Sequence, residues 1–282
     1  MVKVAAIQMC SGTDPERNVA RMEALVREAH AAGAVYVQTP EMTGALQRDR
    51  AGLGAILRPE ATDLVAASAS ALAGELAIHV HVGSTAILLE DGGVANRGLL
   101  FGPNGSLVAR YDKIHMFDVD LDNGESWRES AVYRPGDEAC VVDLPFGRIG
   151  FAICYDIRFP QLFRAEALAG AQVLTAPAAF TRQTGEAHWE ILLRARAIEN
   201  GAFVVAAAQA GLHEDGRETF GHSMIVDPWG RVLARVGGTG EAVIAAEIDL
   251  AEVAAARRKI PNLRNAREFH IKDPVTVRSA VA

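Results

Sequence analysis

The chain has 282 residues, 50% of them hydrophobic, and a formal net charge of −7. A chain of this length and apolar content can bury a large core, and single α/β domains of this size are common. Acidic and basic residues are interspersed, without a Lys/Arg cluster or an interleaved aromatic stripe. This pattern argues against nucleic acid as a partner.

Two further features bear on location. The apolar runs are shorter than a bilayer span, and the first residues favour a strand instead of a signal peptide, so we expect no membrane partner. The three cysteines, Cys10, Cys140 and Cys154, are widely spaced and form no Cys-x-x-Cys motif. This usage is typical of a reduced protein without disulfides and predicts a cytoplasmic location.

The opening of the chain predicts a βαβ unit. Residues 2–9 and 34–39 favour strands, and Asp14-Pro15 between them marks a helix start, with Asp as N-cap and Pro at the first helical position. Such a unit implies parallel strands. Glu41 directly follows the second strand, at the edge of the sheet where α/β proteins place their active sites. Taken alone, Glu41 fits a solvated loop acid better.

The next segment predicts a helix and hairpins. Residues 59–76 favour an alanine-rich helix, residues 78–89 a strand, and residues 99–111 a hairpin around Asn104-Gly105. His79 and His81 alternate on the strand, but no third ligand stands at a telling spacing, so we expect structural roles and no metal site.

Lys113 closes the second strand of that hairpin and therefore lies at another sheet edge. The polar segment 117–134, which carries Glu129, is predicted to be a long loop, and loops of this length in compact domains are often functional.

The stretch around Cys154 predicts a nucleophile. Residues 148–153 favour a buried strand that ends at Cys154, and a helix starts near Pro160. A cysteine at a strand-to-helix junction presents its sulfur at the mouth of the sheet, with free backbone N–H groups beside it as oxyanion donors. The alternative is a buried structural cysteine.

The remaining chain continues the alternation, with a helix predicted at 186–200 and a strand at 203–208. No low-complexity linker interrupts it, so we expect one α/β domain with mixed sheets over residues 1–270, followed by a tail at 271–282 without interpretable pattern.

Glu41, Lys113 and Cys154 each close a predicted strand. A thiolate is the working nucleophile of a cysteine, and an adjacent ammonium lowers the pKa of the thiol. A nearby carboxylate can take the thiol proton, return it to a leaving amine and then activate water. Together the three residues predict nucleophilic hydrolysis.

This constellation, with Asp112–His115 and Cys154–Pro160 around it, resembles the nitrilase superfamily of carbon–nitrogen hydrolases. The family's Glu-Lys-Cys triad matches Glu41, Lys113 and Cys154, and its additional glutamate matches Glu129. Residues 184–190, 193–200 and 221–230 are similar to the Nit branch of small-molecule amidases.

The resemblance implies a four-layer αββα sandwich that dimerises through helices, and a reaction without metal or cofactor. Cys154 would form a thioester while Lys113 and the Tyr155 backbone N–H stabilise the oxyanion. The Nit branch includes amidases for deaminated glutathione and ω-amidases for α-ketoglutaramate, both of which carry a carboxylate. Arg158, Thr181 and Arg182 are the candidates for binding that carboxylate.

Of the two substrates, deaminated glutathione is favoured. Residues 206–211 and 222–224 are more similar to the deaminated-glutathione amidases. The branch usually has an aromatic residue soon after Pro-Glu, whereas here Met42-Thr43-Gly44 follows, and the small residues leave room for a longer amide.

Two alternatives of other classes stay open at this stage. A Cys-His thiol hydrolase could use Cys154 with His115 or His188, although Glu41 and Lys113 would then have no role. A non-catalytic binding protein could keep the fold, although its triad would be expected to have lost a member.

Overall fold

A computed structural model of the protein describes residues 1–121, 124 and 126–272. Within these residues two six-stranded mixed sheets carry helices on their outer faces. The helices, in chain order, are α1 (Pro15–Ala31), α2 (Arg50–Ile56), α3 (Leu64–Leu76), α4 (Pro160–Leu168), α5 (Arg182–Asn200), α6 (Ala251–Lys259) and α7 (Asn262–Asn265). Three short 3-10 helices lie at Glu60–Thr62, Glu129–Ala131 and Cys154–Arg158.

The strands fall into the two large sheets and two small hairpins. In chain order they are β1 (Val2–Gln8), β2 (Tyr36–Gln38), β3 (His79–Leu88), β4 (Val94–Phe101), β5 (Leu107–Asp112), β6 (Asp118–Asp120), β7 (Ser126–Arg128), β8 (Val141–Leu144), β9 (Gly147–Gly150), β10 (Val173–Thr175), β11 (Phe203–Ala206), β12 (Ala210–Leu212), β13 (Glu218–Phe220), β14 (Met224–Val226), β15 (Val232–Arg235) and β16 (Ala242–Ile248).

Each large sheet has three parallel strands at its centre. The first sheet has the order β16-β1-β2-β3-β4-β5, with β1, β2 and β3 parallel. The second has the order β15-β14-β11-β10-β9-β8, with β9, β10 and β11 parallel. The outer strands pair antiparallel, some through hairpins and others, such as β1 with β16, between distant parts of the chain. Both sheets are therefore mixed, as the alternation of elements in the sequence predicts.

The four layers follow from the alternation of side chains along the strands. In β1, Ala5 and Ile7 pack into the core that contains α1 and α3. Val4 and Ala6 point the other way, into the core shared with the second sheet. The second sheet is covered on its far side by α4 and α5. The predicted αββα sandwich is therefore confirmed.

Several predicted elements differ from the structure. The helix predicted at 59–76 is divided into the 3-10 helix Glu60–Thr62 and α3, and three other differences concern segments that carry predicted site residues. The strand before Cys154 ends at Gly150, because the backbone N–H of Ile153 donates to the Asp156 carboxylate and that of Cys154 to the Pro177 carbonyl, outside the sheet ladder. The segment 117–134 contains the small hairpin of β6 and β7 instead of a plain loop. Helix α5 begins at Arg182, four residues earlier than predicted, in a polar turn without an apolar stripe.

The predicted tail begins at 271, and its residues 273–282 lie outside the described residues. Among the helices described here, none is long and apolar enough to traverse a bilayer.

Candidate active site

Four side chains predicted from the sequence meet at one edge of the sandwich. Glu41 follows β2, Lys113 follows β5, Cys154 opens the 3-10 helix after β9, and Glu129 opens another 3-10 helix. The Lys113 ammonium lies 2.8 Å from Glu41 Oε1 and 2.9 and 2.8 Å from the two carboxylate oxygens of Glu129. Because Lys113 and Glu41 are almost fully buried, these ion pairs form away from bulk water.

Asn96 and Ala179 complete the environment of Glu41. The Asn96 side-chain amide donates to Glu41 Oε1 and to Glu129 Oε1, each at 3.0 Å, and so ties the two carboxylates together. The backbone N–H of Ala179 donates to Glu41 Oε2 at 2.8 Å. Both oxygens of Glu41 are therefore held in place. Sequence reasoning missed Asn96, whose only signal is a polar residue inside the apolar strand β4.

Charge and burial act in opposite directions on the pKa values of this cluster. Burial raises the pKa of Glu41, but the Lys113 charge and hydrogen bonds from Lys113, Cys154 and Asn96 bring that pKa below its usual value. Burial lowers the pKa of Lys113, but the Glu129 and Glu41 carboxylates hold it well above the usual value. At neutral pH, Glu41 is therefore an anion and Lys113 a cation.

The backbone at Cys154 is strained into a sharp turn. Cys154 has φ of 50°, in the left-handed region that side chains other than glycine rarely adopt. The buried Asp156 carboxylate supports this turn by accepting from Ile153 N–H at 2.8 Å, the Tyr111 hydroxyl at 2.7 Å and His115 N–H at 3.0 Å. Residue 155 lies in the first turn of the 3-10 helix, where backbone N–H groups have no partner within the helix.

The pKa of the Cys154 thiol is raised, whereas the sequence predicts that it is lowered. Burial raises this pKa, and the Glu41 charge and its hydrogen bond to the thiol raise it further, while Lys113 lowers it by less. The prediction of a depressed pKa is wrong because burial and the Glu41 carboxylate outweigh the Lys113 ammonium, which also pairs with Glu129. The resting thiol is therefore protonated, and a base must take its proton during attack.

A cavity with a volume of about 250 Å³ lies over these groups. Its wall includes Glu41, Lys113, Glu129 and Cys154, together with the predicted substrate-binding residues Tyr155 and Thr181. The cavity therefore brings six of the eight predicted site residues together around one space.

Arg158 and Arg182 lie outside this wall. The Arg158 guanidinium lies over the rings of Tyr155 and Phe180, at 5.9 and 5.3 Å from their centroids. Arg182 is exposed, and its guanidinium pairs with Glu186 at 3.0 Å and Glu218 at 2.8 Å. The predicted carboxylate-binding role of these two arginines has no support from this placement, because Arg182 already has carboxylate partners.

Other cationic side chains that sequence reasoning missed do line the cavity: Arg48, Arg50, Arg128 and Arg217. The guanidinium carbons of Arg48 and Arg217 lie 4.6 and 4.3 Å from the centroid of the Trp127 ring. Because Arg48 and Arg217 come from segments far apart in the chain, no local sequence motif could have grouped these two arginines.

His79 and His81 have structural surroundings. Both are buried. The Tyr36 hydroxyl lies 2.6 Å from His81 Nδ1, and the His81 ring packs 4.6 Å from the Phe151 ring. Burial lowers the pKa of His81 to about 3, so the ring is neutral. Across the described part of the chain, no group of three or more His, Cys, Asp or Glu residues is arranged to hold a metal ion.

Comparison with known proteins settles the family. The family described as "Carbon-nitrogen hydrolase" matches residues 3–258 of the sequence, most of its length. The chain belongs to the carbon–nitrogen hydrolase family. The prediction made from Glu41, Lys113 and Cys154 and their flanking motifs is thereby confirmed at the level of the family, and the protein is an enzyme that hydrolyses carbon–nitrogen bonds.

Curated relatives of this carbon–nitrogen hydrolase are amidases by name. "Deaminated glutathione amidase" from Yersinia enterocolitica is 40% identical over 269 residues, which cover 94% of this chain and 92% of the relative. "Omega-amidase NIT2" from Homo sapiens is 38% identical over 270 residues, which cover 94% of this chain and 95% of the relative.

Solved structures agree on the fold. Saccharomyces cerevisiae Nit3, described as a member of branch 10 of the nitrilase superfamily, matches with a TM-score of 0.83 at 27% identity and covers 92% of this chain and 94% of that chain. The C. elegans NitFhit protein matches with a TM-score of 0.84 at 35% identity and covers 94% of this chain but 65% of that longer chain. The nitrilase-like fold of this hydrolase is confirmed.

Proposed function

We propose that this carbon–nitrogen hydrolase cleaves a carboxylate-bearing amide through a thioester on Cys154. The observation that carries the proposal is the buried contact of Lys113 with Glu41 and Glu129 beside a protonated thiol, in one cavity. Glu41 is the one of these groups that is both anionic and hydrogen-bonded to the thiol. It therefore acts as the general base.

The proposed reaction has two halves. Cys154 Sγ attacks the amide carbonyl carbon while Glu41 takes the thiol proton. The tetrahedral intermediate collapses, the C–N bond breaks, and the leaving nitrogen takes that proton from Glu41. Water then attacks the thioester and gives a proton to Glu41, and collapse releases the carboxylic acid while the proton returns to the Cys154 sulfur.

Lys113 and the Tyr155 backbone N–H stabilise the oxyanion in this proposal. An ammonium buried beside the nucleophile acts in a low-dielectric site, where a fixed charge is worth more than in water. Both carboxylate oxygens of Glu129 accept from the Lys113 ammonium; Oε1 also accepts from the Asn96 amide, and Oε2 from the Phe117 backbone N–H at 2.7 Å. Its proposed role is to hold Lys113 in place.

Deaminated glutathione is the proposed substrate, and α-ketoglutaramate, the substrate of an ω-amidase, is the alternative. The relative named as a deaminated glutathione amidase is 40% identical and the relative named as an omega-amidase is 38% identical. The two identities are nearly equal, so the choice of substrate needs a further argument. Thr43 and Gly44 do not line the cavity, whereas Met42 and Ala45 do, so the predicted extra room beside Glu41 has no support from this placement. The preference for deaminated glutathione rests on the similarity of residues 206–211 and 222–224 to the deaminated-glutathione amidases.

The test is turnover of both amides by one preparation. We expect kcat/KM to be higher for deaminated glutathione, and Cys154→Ala to abolish hydrolysis of both with unchanged circular dichroism. Cys140→Ala is the matched control, because that cysteine lies outside the cavity wall, and it should keep full activity. Turnover by Cys154→Ala would contradict the thioester, whereas a preference for α-ketoglutaramate would overturn the substrate only.

A Cys-His mechanism has no geometric support. The His115 ring is 2.7 Å from the Asp156 carboxylate and stacks on Phe159 at 3.5 Å, and His188 lies 3.3 Å from an Arg158 nitrogen. Neither histidine lines the cavity. Glu41→Gln should therefore stop turnover and His188→Ala should not. Loss of activity in the His188 variant alone would favour the Cys-His thiol hydrolase.

We also propose a cytoplasmic homodimer, built from a single carbon–nitrogen hydrolase domain over residues 1–270. Apolar side chains stand exposed on α4 and α5, with exposed fractions of 62% for Leu168, 69% for Ile191 and 52% for Ile198. Helix α4 directly follows the Cys154 turn, so a dimer packed on it would brace that turn. Light scattering should show twice the monomer mass, and a fully active monomer at micromolar concentration would contradict the dimer.

A further inference from the structure

Two arginines in the wall of the cavity, Arg48 and Arg217, each place the guanidinium over the ring of Trp127, which also lines the cavity. We call Arg48 and Arg217 the arginine pair. Guanidinium groups stack on aromatic faces and keep their N–H donors in the ring plane free for a planar anion. The indole therefore orients both guanidiniums without using their hydrogen-bonding capacity.

In the described part of the chain, neither arginine of the pair donates a side-chain hydrogen bond to a carboxylate. Arg217 reaches Asp215 only at 3.9 Å, beyond a hydrogen bond, and its Nε is buried without a partner. Arg48 makes no ion pair with any residue that the structure describes. By contrast, Arg128, which also lines the cavity, holds the Asp120 carboxylate at 2.9 Å. Leaving a buried guanidinium nitrogen without an acceptor is costly, and an incoming anion would relieve that cost.

Arg217 is held on a rigid support. It closes the turn between β12 and β13, where His213 N–H donates to the Arg217 carbonyl at 2.8 Å. The same turn is tied down by His213, whose Nδ1 lies 2.8 Å from the Ser11 carbonyl, and by Glu214, which accepts from Thr13 N–H at 2.9 Å. A preorganised cation loses little freedom when it binds a ligand, so more of the contact energy appears as affinity.

The cavity has opposite charge at its two ends. The catalytic end holds two carboxylates, Glu41 and Glu129, against one ammonium, Lys113. The arginine pair supplies positive charge, and Arg217 acts on the pKa of Tyr133 together with those catalytic charges, so the two ends lie within electrostatic range. A substrate carboxylate is repelled from the first end and attracted to the second. Arg48 is exposed and Arg217 half-buried, while Cys154 is buried, so Arg48 lies nearer to the mouth than the nucleophile does.

We propose that the arginine pair binds a carboxylate on the leaving-amine side of the substrate, the side remote from the scissile carbonyl. This inference rests on the proposed amidase function and deepens it. Deaminated glutathione has such a carboxylate on its glycine, in addition to one on the acyl side, whereas α-ketoglutaramate has only the acyl-side carboxylate. The arginine pair thus selects amides whose leaving amine carries a carboxylate.

The test compares three amides: deaminated glutathione, the same compound with its glycine carboxylate converted to a carboxamide, and α-ketoglutaramate. We expect Arg217→Gln to raise KM for deaminated glutathione about 10- to 100-fold, the size expected for losing a hydrogen bond to a charged group, with kcat nearly unchanged. The other two amides should change less than about threefold. Arg48→Gln should show the same pattern. Arg27→Gln, at an exposed arginine that pairs with Glu75 outside the cavity wall, should leave all three unchanged.

Equal losses on all three amides, or no loss on deaminated glutathione, would overturn the proposal. A binding measurement separates this failure from failure of the proposed function. Calorimetry on Cys154→Ala, with and without Arg217→Gln, reports binding of intact deaminated glutathione without turnover. Weaker binding by tenfold or more in the double variant supports the arginine pair even if the wild-type protein hydrolyses none of the three. Unchanged binding refutes it even if the wild type is a fast amidase.

Discussion

Lys113→Met is expected to destabilise the fold as well as stop the reaction. Lys113 has a side chain that is 2% exposed, between carboxylates at 2.8 Å on either side. Its removal leaves two buried carboxylates without their cation, and breaking a buried ion pair in this way costs about 3–5 kcal/mol of unfolding free energy. For a chain of this size that corresponds to a drop in Tm of roughly 6–20 °C.

The loss of stability in Lys113→Met should depend on pH, and the pKa of Glu41 determines whether that loss grows or shrinks as pH falls. In the wild type Lys113 holds this pKa below its usual value, so the stabilisation is present above pH 4.5 and is lost as pH falls through the lowered pKa. In Lys113→Met, burial raises the pKa of Glu41 instead. Protonation then relieves the penalty, and the stability gap to wild type should narrow as pH falls from 8 to 5.5.

Thermal unfolding at fixed protein concentration, at pH 8 and pH 5.5, measures both effects. The control is Lys3→Met, whose exposed ammonium donates to the Ala32 carbonyl at 3.0 Å, and which should change stability by less than about 0.5 kcal/mol. The same Lys113 preparation should lose roughly a hundredfold or more in kcat/KM. A Tm equal to that of the control, or a deficit identical at the two pH values, would refute the buried-cation argument.

Three further predictions concern the Glu41 carboxylate, the Cys154 thiol and Gly83 of strand β3. The acid limb of kcat/KM should have its midpoint below the usual Glu value of 4.5, because the pKa of Glu41 is lowered; a midpoint near 6 would exclude Glu41 as the base. Alkylation of Cys154 by iodoacetamide should still accelerate between pH 7 and 9, because burial and Glu41 raise the thiol pKa, and a plateau below pH 7 would contradict this. Gly83→Ala should lower both stability and turnover, because a Cβ there would lie 2.2 Å from the Thr39 carbonyl oxygen, close in sequence to Glu41. The control, Gly54→Ala, adds its Cβ in open space and should be neutral or slightly stabilising. Denaturation and kinetic measurements on both glycine variants test this prediction. Equal stability and turnover of the two variants would contradict the predicted steric clash at position 83.

The sequence alone placed the chemistry at strand ends. Glu41, Lys113 and Cys154 each follow an apolar segment of strand length, and apolar runs of that kind are local patterns that survive in almost any tertiary context. The strands before Glu41 and Cys154, β2 and β9, belong to different sheets, so their strand-end positions alone did not predict that the two residues meet. Family resemblance added Glu129 and the four-layer arrangement, which periodicity does not contain.

Tertiary structure decided the charges. The thiol pKa rises because of burial and because Glu41, 113 positions earlier in the chain, outweighs Lys113. That balance depends on distances of a few ångströms that no spacing encodes. Arg48 and Arg217 come together only because two separate loops meet on Trp127. Sequence pattern fixes which residues can do chemistry, because it reflects local burial, but electrostatic interactions act through space, and so only the folded arrangement determines which charges act on one another.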